Sequence, residues 1–195
     1  MKTKYILHGG YVTRENELNE KFFSEIGNTL NDGETILMCY FAPSVGNNKT
    51  EQEKYELGID FFSKKIADKN LNFVFAKRDN FIEDLRKADA LYIHGGKTDE
   101  LFNDLKKYPN FIDEVKKKKV VIGSSAGAYV LAKYSIDYPD RSEAKKRFGI
   151  LPIKIFCHFE ESRRKTIESK FAKVDKDNKF ELVLLEDCET RVIIQ

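Results

Sequence analysis

Short runs of β-branched and aromatic residues alternate along the chain with longer stretches whose apolar positions recur at helical spacing. Tyr5-Ile6-Leu7 predicts a strand ending at His8-Gly9-Gly10. From Glu17 to Leu30, the side chains Leu18, Phe22, Ile26 and Leu30 share one helix face. Ile36 to Phe41 is the next strand, closed by Pro43, and Tyr55, Ile59, Phe62 and Ile66 mark a helix over 51–68. A strand over 71–76, a short helix over 81–88 and a strand over 90–93 follow, the last running into His94-Gly95-Gly96. Helical pieces around 100–107 and 111–118 are separated at Pro109. The apolar strand Val120-Val121-Ile122 then enters Gly123-Ser124-Ser125-Ala126-Gly127 and a further helix.

After Lys133 the pattern breaks, and Tyr134 to Phe148 reads as an excursion loop. A strand over 153–156 ends at His158, a charged helix covers 162–173, and 180–185 and 191–194 read as two closing strands. This alternation predicts βαβ units: an α/β fold, one sandwich around a mostly parallel sheet, in a single domain over 1–195. Such sheets bind ligands outside the carboxyl ends of their strands. Both His-Gly-Gly segments and the Ser125 turn fall there, and His158 joins them if its strand is parallel.

Composition narrows the class. The 195 residues carry 34 Lys and Arg against 32 Asp and Glu, a net charge of +2 that argues against a nucleic-acid binder with a large basic face. A hydrophobic share of 41%, with 15 Phe and 9 Tyr, is enough for a sizeable core. No apolar run approaches the roughly 20 residues that cross a bilayer, so no membrane association is expected. Met1 to Lys4 leads into too few apolar residues for a signal peptide, which makes a cytoplasmic location the expectation. Cys39, Cys157 and Cys188 are widely spaced and predict neither a disulfide framework nor a zinc site. The Lys116–Lys119 run reads as a solvated face at a helix end.

Gly123 to Gly127 fits G-x-S-x-G between a buried strand and a helix, which presents the serine on a sharp turn and aims helix N–H groups at a forming oxyanion. Ser125 is therefore the candidate nucleophile, and it needs a base. His158 is the sole histidine after it and sits at a strand end; His8 and His94, each followed by two glycines, are weaker candidates for the base, with shaping of the pocket as their other reading. For the orienting acid, Glu186, Asp187 and Glu189 cluster past the first closing strand. Asp137, Asp140 and Glu143 stand where an α/β-hydrolase would keep its acid, but that fold needs a longer chain. Gly96-Lys97-Thr98 imitates the end of a P-loop, yet the position of the first glycine is Leu91, inside a strand. Gly95 or Gly96 reads better as an oxyanion N–H donor beside Ala126, with Thr98 capping the next helix. Arg163 and Arg164, close after His158, are candidates for gripping a substrate carboxylate.

Together these residues resemble the serine peptidase family that includes aspartyl dipeptidase (peptidase E) and cyanophycinase. The resemblance rests on Tyr5 to Gly10, Leu91 to Thr98, Gly123 to Ala128, Gly149-Ile150-Leu151-Pro152 up to His158-Phe159, and Leu185-Glu186-Asp187. It implies a three-layer, flavodoxin-like sandwich shared with class I glutamine amidotransferases, which carry cysteine where this chain has Ser125. It further implies Ser125 as nucleophile, His158 as base, Gly96 and Ala126 as oxyanion donors, and Asp187 as the acid, with Glu186 the alternative. The family often has Asn where this chain has Lys97, a cation placed to attract a substrate carboxylate. The implied activity is hydrolysis of short peptides, possible aspartyl dipeptides among them, by a monomer or homodimer without metal or cofactor. Esterase chemistry on the same triad and a non-catalytic, ligand-binding role on the same fold are the alternatives.

Overall fold

The computed structural model describes residues 2–46, 49–137 and 143–195. Five strands run parallel: β1 (Lys4–His8), β2 (Thr35–Cys39), β3 (Asn72–Phe75), β4 (Ala90–Ile93) and β5 (Val120–Ser124). With β10 (Thr190–Ile194), antiparallel at the edge, they form one sheet in the order β10-β1-β5-β4-β2-β3. Alternate residues along each strand face opposite sides, and the two sides are covered by different helices. Ile6, Met38, Tyr92 and Ile122 pack with Phe22, Ile26 and Phe62 from α1 (Glu17–Gly27) and α2 (Glu51–Lys65). Leu7, Leu37, Leu91 and Val121 pack against α3 (Phe81–Lys87), α4 (Thr98–Leu105), α5 (Phe111–Val115) and α6 (Ala126–Leu131). The result is the sandwich around a mostly parallel sheet that the alternation of elements predicts, in the three layers that the resemblance implies.

The helix boundaries follow local chemistry. Asn16 caps α1 by accepting from the Leu18 N–H, and Thr50 with Glu53 closes a reciprocal capping box on α2. Thr98, by contrast, is the first residue inside α4 and not its cap, and its hydroxyl is buried. Leu18 stands partly exposed while Asn19 and Phe23 turn inward, so the buried face of α1 is rotated from the predicted one. Lys118 is not a solvated charge. Its Nζ donates to the carbonyls of Leu85 at 2.6 Å and Ala88 at 2.7 Å, covering the C-terminal end of α3.

The predicted excursion loop and single sheet are corrected by a second sheet. β6 (Tyr134–Ser135), β7 (Lys145–Lys146), β8 (Ile153–Cys157) and β9 (Glu181–Leu185) are ordered β7-β6-β8-β9, with β8 parallel to both neighbours. Its small core holds Ile136, Phe156 and Phe159 against Ile167 and Phe171 of α7 (Arg164–Ala172). β6 and β7 are two residues each, too short to show a period, and β7 is a pair of lysines. The strand before His158 thus belongs to this second sheet. The segment 186–189 crosses from β9 to β10 and so from one sheet to the other.

Candidate active site

Ser125 follows β5 and enters α6 with φ 48° and ψ −108°, a left-handed conformation unusual for a residue with a side chain. The Ser125 N–H donates to the His8 carbonyl at 2.9 Å, and the Ser125 carbonyl accepts from the Tyr129 N–H at 2.9 Å. The turn is tight enough that a Cβ on Gly127 would fall 2.0 Å from the Ile93 carbonyl oxygen, so only glycine fits. The strained serine thereby stands clear of the sheet.

His158 extends from β8, also at positive φ (58°), and meets Ser125 across the junction of the two sheets. Ser125 Oγ lies 3.0 Å from His158 Nε2, and His158 Nδ1 lies 2.8 Å from Asp187 Oδ1. A carboxylate only accepts, so Nδ1 carries the proton and Nε2 is left to accept from the serine hydroxyl. The 186–189 crossover brings Asp187 to this position. Glu189 instead accepts from the Glu186 N–H at 2.9 Å, and the Glu186 side chain is exposed. Asp137 is held by Arg147 at 2.6 Å and Glu143 by Lys173 at 3.1 Å, while Asp140 lies outside the described residues.

The loop after β1 braces both partners of this chain of hydrogen bonds. His8 is fully buried; its Nδ1 accepts from the Gly10 N–H at 3.1 Å, so Nε2 donates to Asn19 Oδ1 at 2.7 Å. Burial pushes the His8 pKa down to about 4, against the opposing effect of the hydrogen bond to Asn19, and the ring is neutral at neutral pH. Asn19 Nδ2 in turn donates to the Tyr11, Val12 and Arg14 carbonyls at 3.0, 3.3 and 2.6 Å. The Tyr11 ring stands edge-on to His158, with centroids 5.4 Å apart, and Arg14 reaches the second oxygen of Asp187 at 3.5 Å. The Gly10 carbonyl accepts from the Cys188 N–H at 3.1 Å, tying this loop to the crossover.

Beside Ser125 opens a cleft of about 410 Å³ between the loops that follow β1, β2 and β4 and one face of α2. Ser125, His158, Gly95 and Gly96 line it, as do Lys49 and Lys54; among the described residues no Asp or Glu does. Gly95 backs directly onto the serine, since a Cβ there would lie 3.3 Å from that of Ser125. Ala126 opens α6, so its N–H has no intrahelical partner. Lys54 is buried, with Nζ donating to the Ala42 carbonyl at 2.7 Å, and burial lowers its pKa. His94 is pushed down to about 3 by burial, with the charge of Lys54 adding to the effect, and shares a 3.0 Å hydrogen bond with the Tyr92 hydroxyl.

Three predicted substrate residues are not brought to this cleft. Lys97 pairs with Glu100 at 3.0 Å on the surface. Arg163 and Arg164 pair with Glu160 at 3.0 Å and Glu161 at 2.7 Å, close to α7 and the second sheet. Sequence reasoning missed Tyr11, Asn19, Lys49 and Lys54. The available signal for Lys54 was a helical stripe through Lys54, Leu57 and Phe61, offset from the more apolar one that was followed. All three cysteines are free and buried. Among the described residues no group of three or more His, Cys, Asp or Glu could hold a metal ion, and no helix is long and apolar enough to cross a membrane.

The family model of peptidase family S51 matches residues 6–194. The fold is similar to the crystal structure of a peptidase from an acI-B1 Actinobacterium, with a TM-score of 0.64 and 21% identity over 99% of this chain and 84% of that one. It is also similar to a candidate peptidase E protein from Listeria monocytogenes EGD-e, with a TM-score of 0.63 and 15% identity over 100% of this chain and 98% of that one. No curated protein matches the sequence significantly.

Proposed function

The chain belongs to peptidase family S51, and on that premise we propose that this serine peptidase cleaves short peptides beside an acidic residue, through an acyl-enzyme on Ser125. The observation that carries the proposal is the pair of hydrogen bonds running from Ser125 Oγ to His158 at 3.0 Å and from His158 to Asp187 at 2.8 Å. In this reading the Ser125 oxygen attacks the peptide carbonyl while His158 Nε2 takes its proton. The Asp187 carboxylate accepts from Nδ1–H, which fixes the ring tautomer and stabilises the imidazolium as it forms.

The tetrahedral oxyanion is stabilised by the backbone N–H groups of Gly96 and Ala126. Collapse of the intermediate breaks the C–N bond, and His158 returns its proton to the leaving amine. Water, deprotonated by the same nitrogen, then hydrolyses the ester and frees Ser125. The preference for acidic substrates is supported by Lys49 and Lys54 in a cleft that no described carboxylate lines. It is also supported by the resemblance to aspartyl dipeptidase and by the peptidase E likeness.

A panel of Asp-Xaa and Ala-Xaa dipeptides, with small esters alongside, tests the proposal. The expected result is release of amino acids from Asp-Xaa at least ten-fold faster than from Ala-Xaa, a difference that one charge contact supplies. Turnover of esters alone would overturn the peptidase assignment.

A further inference from the structure

Three large apolar side chains that stand half exposed, Tyr11, Val45 and Leu57 at 50%, 49% and 50%, all line the Ser125 cleft. They come from three separate segments, the loops after β1 and β2 and the helix α2. Leu18, Val74 and Ile194, also exposed, lie away from the cleft, but three such side chains gathered in one concave place mark a binding surface. It also abuts the reacting group, because Tyr11 is the residue edge-on to His158.

On α2 the cleft-lining residues Lys54, Leu57 and Phe61 recur at three- and four-residue spacing and so share one face. Gly58 lies among them and lets α2 settle on Tyr40, whose hydroxyl would be 1.9 Å from a Cβ at that position. The Lys54 ammonium is turned to the Tyr40 and Ala42 carbonyls, so what this face of α2 offers a peptide in the cleft is chiefly the apolar surface of Leu57 and Phe61.

We infer that the wall formed by Leu57, Phe61, Val45 and Tyr11 is a subsite for a bulky apolar side chain. The preferred substrates are then short peptides that join the acidic residue to Leu, Phe or a similar residue. This rests on the preceding reading of Ser125 as the nucleophile and deepens it.

The test is kcat/KM for Asp-Gly, Asp-Ser, Asp-Leu and Asp-Phe, in the native protein and in Leu57→Ser and Val45→Ser. Both replaced side chains are half exposed, so the variants keep a folded core to be checked by thermal melting. The native protein should favour Asp-Leu and Asp-Phe over Asp-Gly by about ten-fold or more, and each variant should reduce that ratio several-fold. A native ratio near one, or an unchanged ratio in both variants, would overturn the subsite while leaving Ser125 hydrolysis intact. Absence of hydrolysis of every dipeptide, with no probe bound at Ser125, would instead remove the parent reading and this subsite with it.

Discussion

Gly10 and His158 are packed so closely that a Cβ on Gly10 would lie 2.4 Å from Cε1 of the imidazole. Gly10 also has φ +116°, which only glycine adopts without strain. Gly10→Ala should therefore displace the histidine from Ser125. A shift of about 1 Å costs on the order of a hundred-fold in rate. Steady-state kcat should fall by that much, and more steeply than thermal stability; a variant with native kcat would show that the imidazole has slack.

Asp187 and Glu186 are adjacent carboxylates with different surroundings. Asp187→Asn presents a donor where His158 needs an acceptor and should lower kcat by roughly a thousand- to ten-thousand-fold, with the fold retained. Glu186→Gln, whose side chain is exposed, should stay within about two-fold of the native kcat/KM. The reverse ranking would assign the acid to Glu186.

The buried His8 predicts a pH dependence of stability. Its folded pKa is about 4 against an ordinary value of 6.5, so between those values the unfolded chain binds more protons than the folded one. Stability attributable to His8 is complete above about pH 6.5 and declines as the pH falls towards about 4. At pH 5 the loss is of order 2 kcal/mol. Urea denaturation at pH 7 and pH 5 should show this loss, and His8→Gln, less stable overall, should show a smaller pH-dependent part. An equal pH dependence in the variant would place the titration elsewhere.

Lys118→Met tests a contact that charge patterning misread. Removing Nζ leaves the Leu85 and Ala88 carbonyls unsatisfied at the end of α3, at a cost of about 1–3 kcal/mol. The melting temperature should fall while kcat stays native. An unchanged melting temperature would mean that water replaces the ammonium without loss.

The main sheet was legible because each of its parallel strands is an apolar run bounded by turn residues, and Ser125 because glycines mark its turn. His158 was found by elimination among three histidines. The acid was not resolved by spacing alone: Glu186, Asp187 and Glu189 lie within four positions, and the crossover between two sheets selects the one that faces the imidazole. Of that second sheet, β8 and β9 were read as strands, whereas the two-residue β6 and β7 left no periodic trace. Lys54 was hidden for another reason. Its burial depends on the carbonyls of Tyr40 and Ala42, 14 and 12 positions earlier and outside α2, which no helical periodicity reveals. Lys97, Arg163 and Arg164 were chosen by proximity in sequence to glycine or histidine, and nearby glutamates hold all three at the surface.

The most direct measurement of the central claim is covalent labelling by a fluorophosphonate probe, with the modified peptide located by mass spectrometry. The native protein should be labelled at Ser125, and Ser125→Ala should not be labelled. Equal labelling of the Ser125→Ala variant, or modification of a different residue in the native protein, would contradict the assignment of Ser125 as nucleophile.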